Sequence, residues 1–282
     1  MTHNSSHLHG KKKGFLELHT SSHLHNTPCL HNYGTLYKYG SKYKLTCLAT
    51  YRQVGFELGN FIAKGEAGND EKLCNSLSRT KARIFELAYC NSWKYFVTFT
   101  LDKNKYNRHD LPKFIKDLGQ LIRDKRKKYC TDIRYLLIPE RHNDGAWHLH
   151  GFFIGIPENE LREFTLQERL PDKIRKRIAD GKRVFTWTSY ERQFGFSDIE
   201  LVENHEAVSK YICKYVTKEA MHTITELNAH CFYASKGLQG KEAIANGFVN
   251  PFEPDYFNEY CSAKWFDAPE EALCYFKGGD CI

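Results

Sequence analysis

Trp147-His148-Leu149-His150-Gly151 sets two imidazoles one residue apart inside an otherwise apolar run. In a strand, residues i and i+2 point to the same face, so His148 and His150 converge while Trp147 and Leu149 face the other way. Glu140 ends the preceding apolar run, Ile133–Pro139, and can reach the same face across a turn. Two imidazoles and a carboxylate suit a divalent cation such as Mn²⁺, Mg²⁺ or Zn²⁺, with coordination positions left for substrate oxygens. The plainer reading is a pair of half-buried strand histidines with ordinary hydrogen bonds; the apolar hairpin and nearby Glu140 weigh against it. The triplet His-Leu-His also occurs at His7–His9 and His23–His25, in a polar stretch with no flanking strand. There it reads as an incidental His-rich tail with weak metal affinity.

Tyr211-Ile212-Cys213-Lys214-Tyr215-Val216-Thr217-Lys218 repeats the unit Y-x-x-K at once. On a helix Tyr211 and Tyr215 are i and i+4 and share a face, with Lys214 and Lys218 beside them. Taken alone, this is also what an amphipathic helix with tyrosines at the core edge looks like. Together, the two clusters fit one reaction. A Tyr hydroxyl can attack a phosphodiester and form a covalent intermediate. Its ordinary pKa near 10 means that it needs help at neutral pH. A metal can polarise the phosphate, and Lys214 and Lys218 can stabilise a phenolate or the developing charge. A 5′-phosphotyrosine keeps the phosphodiester energy, so rejoining needs no nucleotide cofactor, and no Walker-type phosphate loop is present. The nucleophile is Tyr211, Tyr215 or both.

The elements that must hold these residues are legible in outline. Lys94–Leu101, Ile133–Pro139 and Trp147–Ile156 read as buried strands. The last two should form an antiparallel hairpin through the Asp144-Gly145 turn. Asp110 caps a helix with Leu111, Phe114, Ile115, Leu118, Leu121 and Ile122 on one face, and residues 70–90 form another helix. Residues 33–66 form short strands. Residues 158–180 form one or two helices broken near Pro171. A strand lies around Ser197–Val202, and Asn204 caps a helix from His205 to about Glu219. The expected class is α+β: an antiparallel sheet of about four to five strands with packed helices. Residues 1–32 read as a flexible leader, 33–90 as an N-terminal accessory region, 91–220 as the core and 221–282 as a C-terminal accessory region.

The net charge of +7 is concentrated in two runs, Lys113–Lys128 and Arg169–Arg183, which suit a polyanion or, more plainly, solvated helix faces. The ten cysteines include no C-x-x-C pair, which argues against a zinc ribbon or a thioredoxin-like site. Without a signal-peptide pattern or a membrane-length apolar run, the expected setting is soluble, reducing and intracellular.

In this light the chain resembles the HUH endonucleases, specifically the rolling-circle replication initiators (Rep proteins). Phe96-Val97-Thr98-Phe99-Thr100 resembles the family's first motif, Trp147–Phe153 its metal-binding H-hydrophobic-H strand, and Tyr211–Lys218 its catalytic tyrosine helix. The tandem tyrosines are similar to those of the two-tyrosine initiators of small single-stranded DNA phages. The Glu140–His148 spacing is similar to that of a ligand Glu in some viral Rep proteins. The stretch from about Ser76 to Glu219 resembles replication-associated proteins of phages, plasmids and integrated elements of Gram-positive bacteria. The resemblance implies a ferredoxin- or RRM-like sheet carrying the histidines, and Mg²⁺ or Mn²⁺ as cofactor. It implies single-stranded or hairpin origin DNA as substrate, and a host helicase and polymerase as partners. A plasmid relaxase or single-strand transposase would use the same chemistry. A non-catalytic RRM-like nucleic-acid binder is the alternative from another class.

Overall fold

The computed structural model describes residues 32–48, 70–216, 231–257 and 261–277. The chain divides into two compact units, one drawn from residues 1–58 and 243–282, the other from 59–242. In the first, β1 (Tyr33–Tyr39) and β2 (Lys42–Leu48) form a hairpin within a five-stranded sheet completed by strands Glu242–Phe248, Tyr256–Phe257 and Cys261–Phe266. Leu36, Leu45, Ala245, Val249, Phe266 and Ala272 form its core. The expected leader, apart from Asn32, and the remainder of the 33–66 stretch lie outside the described residues.

The second unit carries every described residue singled out above for chemistry. Its elements are α1 (Asp70–Tyr89), β3 (Tyr95–Thr100), α2 (Leu111–Tyr129), β4 (Arg134–Arg141), β5 (Trp147–Ile154), β6 (Leu161–Glu163), α3 (Asp172–Ala179), β7 (Val184–Trp187), α4 (Thr188–Gln193), β8 (Ser197–Leu201), α5 (His205–Tyr211) and β9 (Tyr233–Ala234). Seven strands pair antiparallel in the order β6-β7-β8-β3-β5-β4-β9. The α+β class holds, with a sheet wider than the four to five strands expected. Local chemistry accounts for the elements. Asp110 Oδ1 accepts the Lys113 N–H at the start of α2, and Cys130, at φ 50°, closes its end by donating its N–H to Arg126 O. In the β4–β5 hairpin, Asp144 accepts the Ala146 N–H and Gly145 takes φ +79°, a left-handed conformation that favours glycine.

Three expectations need correction. Residues 158–180 do not begin in a helix: a 3-10 turn at Glu158–Glu160 leads into β6, and the only α-helical part described there follows Pro171. β6 has three residues, too few to show an alternation. β7 and α4 were not expected in 184–202; β7 is buried on both faces and so shows no alternation either. The tyrosine segment is not one α-helix to Glu219. α5 ends at Tyr211 and tightens into a 3-10 turn, Ile212–Tyr215, while residues 217–230 lie outside the described residues.

The two faces of the sheet have different coverings. On one, Val97, Phe99, Leu149, Phe153 and Ile199 pack against Leu111, Phe114, Leu118 and Ile122 of α2, with Tyr190 of α4. On the other, Leu136, Ile138 and Phe152 pack under Ile84, Leu87 and Ala88 of α1 and under Ile212 and Val216. Further along that second face, Ile174 of α3 packs on Val184, Phe164 and Phe196. No helix among the described residues is long and apolar enough to cross a membrane.

Candidate functional site

Strand register fixes the floor of the site. On β3, Thr98 lies opposite His150 of β5 and Asp198 of β8, and Thr100 lies opposite His148, which in turn faces Glu140 on β4. Directly paired residues share a face, so all six project to the side away from α2. Thr98 Oγ1 is 3.1 Å from His150 Nδ1, and Thr100 Oγ1 is 3.4 Å from His148 Nδ1. Each ring is thus held at one nitrogen and directed outward with the other. His150 Nε2 is 2.8 Å from Glu140 Oε2. That hydrogen bond, working against burial, holds the Glu140 carboxyl below its usual range. Burial, then the nearby His142 and His150, lowers the His148 imidazole to about 4, so it is neutral at pH 7. His142, in the β4–β5 turn, stacks on His148 with centroids 4.6 Å apart.

The donor types suit a divalent metal: two imidazoles, a carboxylate, and an outer hydroxyl on each ring, the pattern that orients metal-binding histidines. Among the described residues, however, no group of three or more His, Cys, Asp or Glu side chains is arranged to hold an ion as it stands. The Glu140 carboxylate is engaged by His150, and the His148 and His150 ring centroids are 6.3 Å apart.

The tyrosines reach this floor from α5 and the turn after it. Asn204 Oδ1 caps α5 by accepting the Ala207 N–H, and buried Ile212 and Val216 pin the turn to the sheet. Tyr215 then lies flat on His150, ring centroids 4.0 Å apart and planes 7° from parallel. Its hydroxyl donates to Tyr211 Oη at 3.3 Å, and the Lys214 ammonium donates to the same oxygen. Burial alone would raise the Tyr211 phenol, but the hydrogen bonds from Lys214 and Tyr215 outweigh it and lower the pKa. Burial, and then the bond it donates to Tyr211, push Tyr215 well up. Tyr211 is 46% exposed, its ring edge-to-face with Phe96. Lys218 lies outside the described residues.

Floor and tyrosines open on a groove of about 1090 Å³. One wall is Asn204, Val208, Tyr211 and Tyr215; the other is α3 and the loop after it, with Lys173, Lys176, Arg177 and Lys182. Arg177 bridges Asp198, at 2.5 Å, and Glu200. The two basic runs therefore part company. The second lines the groove, whereas the first rides on α2 across the sheet and cannot meet a ligand lying there.

Residues 94–220 match the family of the replication-associated protein ORF2. The match supports a protein of the replication-initiator kind, with a part in starting DNA replication. No curated protein and no solved structure matches the chain. The matched segment begins one residue ahead of β3 and runs past the tyrosine turn, so the floor and both walls of the groove fall inside it. Sequence reading gave no individual role to Thr98 and Thr100, named only within the first motif, or to Arg177, named only within the second basic run, and it missed His142 and Asp198. The threonines left a signal: two hydroxyls alternating in a strand whose other residues are apolar or aromatic. The others depend on turn and cross-strand geometry, for which the sequence holds no periodic cue.

Proposed function

We propose that the chain nicks and rejoins single-stranded origin DNA through a 5′-phosphotyrosine, with Mg²⁺ or Mn²⁺, and so starts rolling-circle replication of a phage, plasmid or integrated element. The observation that carries this reading is the pair of tyrosine hydroxyls, 3.3 Å apart, beside the His148–His150 strand at the edge of a groove with a cationic far wall.

Tyr211 acts first. Its oxygen accepts from both Lys214 and Tyr215, which favours the phenolate, and its exposure lets a strand approach. The phenol proton leaves to solvent; Tyr211 Oη bonds to phosphorus, the P–O3′ bond breaks, and the 3′ oxygen takes up a proton. The product is a 3′-OH for a host polymerase, with unwinding left to a host helicase. Tyr215 holds the Tyr211 phenolate in the first transfer and is placed for the second. His148, His150 and Glu140 would hold the divalent ion, which supplies polarisation of the phosphate's non-bridging oxygens. The α3 lysines balance phosphate charge along the strand.

The test is incubation of the full chain with labelled single-stranded DNA from its own locus and Mn²⁺ or Mg²⁺. A covalent protein–DNA band is expected, lost in His148→Ala. A band that survives that substitution would remove the metal role; no band with either ion would remove the nickase reading.

A further inference from the structure

The Tyr215 side chain touches both halves of the site. Its ring lies face to face on His150, centroids 4.0 Å apart and planes 7° from parallel, while its hydroxyl donates to Tyr211 Oη at 3.3 Å. The two tyrosine rings also meet edge to face, centroids 5.7 Å apart. Tyr215 is brought there by its neighbours in the chain: buried Ile212 and Val216 pack with Leu136, Ile138 and Phe152 of the sheet. The ring is therefore presented to His150 already ordered, and stacking costs little further conformational entropy.

The polar contacts of His150 lie at the edge of its ring. Thr98 Oγ1 is 3.1 Å from Nδ1, and Glu140 Oε2 is 2.8 Å from Nε2. Nδ1 faces Thr98 on the adjoining strand, so an ion would take Nε2, and the Glu140 bond must then be given up. One hydrogen bond would remain at the imidazole. The ring torsion of a histidine has a broad well, so a single bond fixes the ring plane poorly. The Nε2 lone pair lies in that plane, and an ion is bound well only along it. A flat ring against the imidazole face does fix the plane, because any tilt runs into it. Burial keeps the pair together: His150 is 7% exposed and Tyr215 is half-buried.

We propose that Tyr215 is a positioning residue for the metal: its ring sets the plane of His150 so that Nε2 meets a divalent ion, and ion binding and docking of the tyrosine turn strengthen each other. The coupling is reciprocal by linkage: what the ring adds to ion affinity, the ion adds to the hold on the ring. A bound ion thereby steadies the hydroxyl that supports the Tyr211 oxygen. This rests on the metal role proposed above but not on cleavage or on the order in which the tyrosines act.

Calorimetric titration of the full chain with Mn²⁺, without DNA, reads one side of the coupling. The signal of the site is the part lost in His148→Ala, which leaves any ion held by the His-Leu-His triplets at His7 and His23 in the baseline. Tyr215→Phe keeps the ring, loses the hydroxyl and should bind Mn²⁺ as the wild type does. Tyr215→Leu keeps apolar bulk without the flat face and should bind about five- to tenfold more weakly, the scale of an aromatic ring pair. Hydrogen exchange reads the other side: Mn²⁺ should slow exchange of the backbone amides at 212–216 in the wild type and in Tyr215→Phe, and not in Tyr215→Leu. Wild-type affinity in Tyr215→Leu overturns this inference alone. So does an equal loss in both variants, since the ring would then not be the cause. Exchange at 212–216 that ignores Mn²⁺ in the wild type, a reading that needs no substitution at Tyr215, overturns it as well. A titration with no part lost in His148→Ala removes the metal role and this inference together.

Discussion

At the scale of single residues, the two tyrosines are not equivalent. The Tyr211 oxygen accepts two hydrogen bonds, one from a cation, whereas Tyr215 donates its proton and is pressed against His150. On the proposed mechanism the Tyr211→Phe variant should lose first cleavage by more than about 100-fold, since it removes the proposed nucleophile. Tyr215→Phe should still give the single adduct, more slowly, and fail to complete strand transfer. Mass spectrometry of the adduct checks this; an adduct at Tyr215 in the wild-type chain would reverse the order. The threonines give a second prediction. Thr98→Val removes the hydroxyl that holds His150 Nδ1, and loss of such outer partners weakens metal binding by about 10–100-fold. Calorimetric titration of Mn²⁺ reads that effect without reference to cleavage, and unchanged affinity would show that Thr98 only packs.

At the scale of elements, the site depends on close approach between β4 and β5. Gly151, directly after His150, has no room for a side chain: a Cβ there would run into the Leu136 carbonyl on β4. Gly151→Ala should cost about 1–3 kcal/mol, read by chemical denaturation, and disturb the histidine strand with it. A second tie between elements joins the 3-10 turn at Glu158–Glu160 to two helices. Glu160, 5% exposed, accepts from Lys125 and Tyr129 of α2 and from Ser189 of α4. Burial would raise its carboxyl, but these donors outweigh burial and hold it down to about 2, against an ordinary 4.5. Because the folded pKa is the lower one, the stabilisation is full above about pH 4.5 and is lost as pH falls toward 2. Glu160→Gln should thus cost about 3 kcal/mol at pH 7, where it strands buried Lys125, and almost nothing near pH 2. Melting curves of both proteins across that range check it; an equal gap at both ends would mean that the carboxylate charge contributes nothing.

At the scale of the whole molecule, the question is where a polyanion can lie. The net charge of +7 does not answer it, because the two basic runs sit on opposite faces of one sheet. Only α3 and the loop after it present theirs to the groove. Changing Lys173, Lys176 and Lys182 together to Ala should lower the salt dependence of single-strand binding by about 2 in the log–log slope, near 0.7 for each phosphate no longer neutralised. The matching change at Lys116, Lys127 and Lys128 on α2 should leave it nearly unaltered. Binding isotherms at several salt concentrations decide, and equal effects would place the strand elsewhere.

What the sequence determined by itself was local. A two-residue alternation was enough to make Trp147–Ile154 a strand and to bring His148 and His150 to one face; Asp110 and Asn204 marked their helix starts; Asp144-Gly145 marked the hairpin. Each follows from geometry within a few residues, where periodicity and turn chemistry act directly. The long-range arrangement came only with the tertiary structure. Which hydroxyls hold the imidazoles depends on the register of β3 against β5, and the Arg177 bridge to Asp198 and Glu200 depends on β8 lying beside β3 and on Arg177 arriving from α3. That α2 is shut away from the groove depends on which face of the sheet it covers. The unequal tyrosines depend on α5 tightening into a 3-10 turn over His150, because packing of Ile212 and Val216 on the sheet outweighs the helical spacing that the sequence displays.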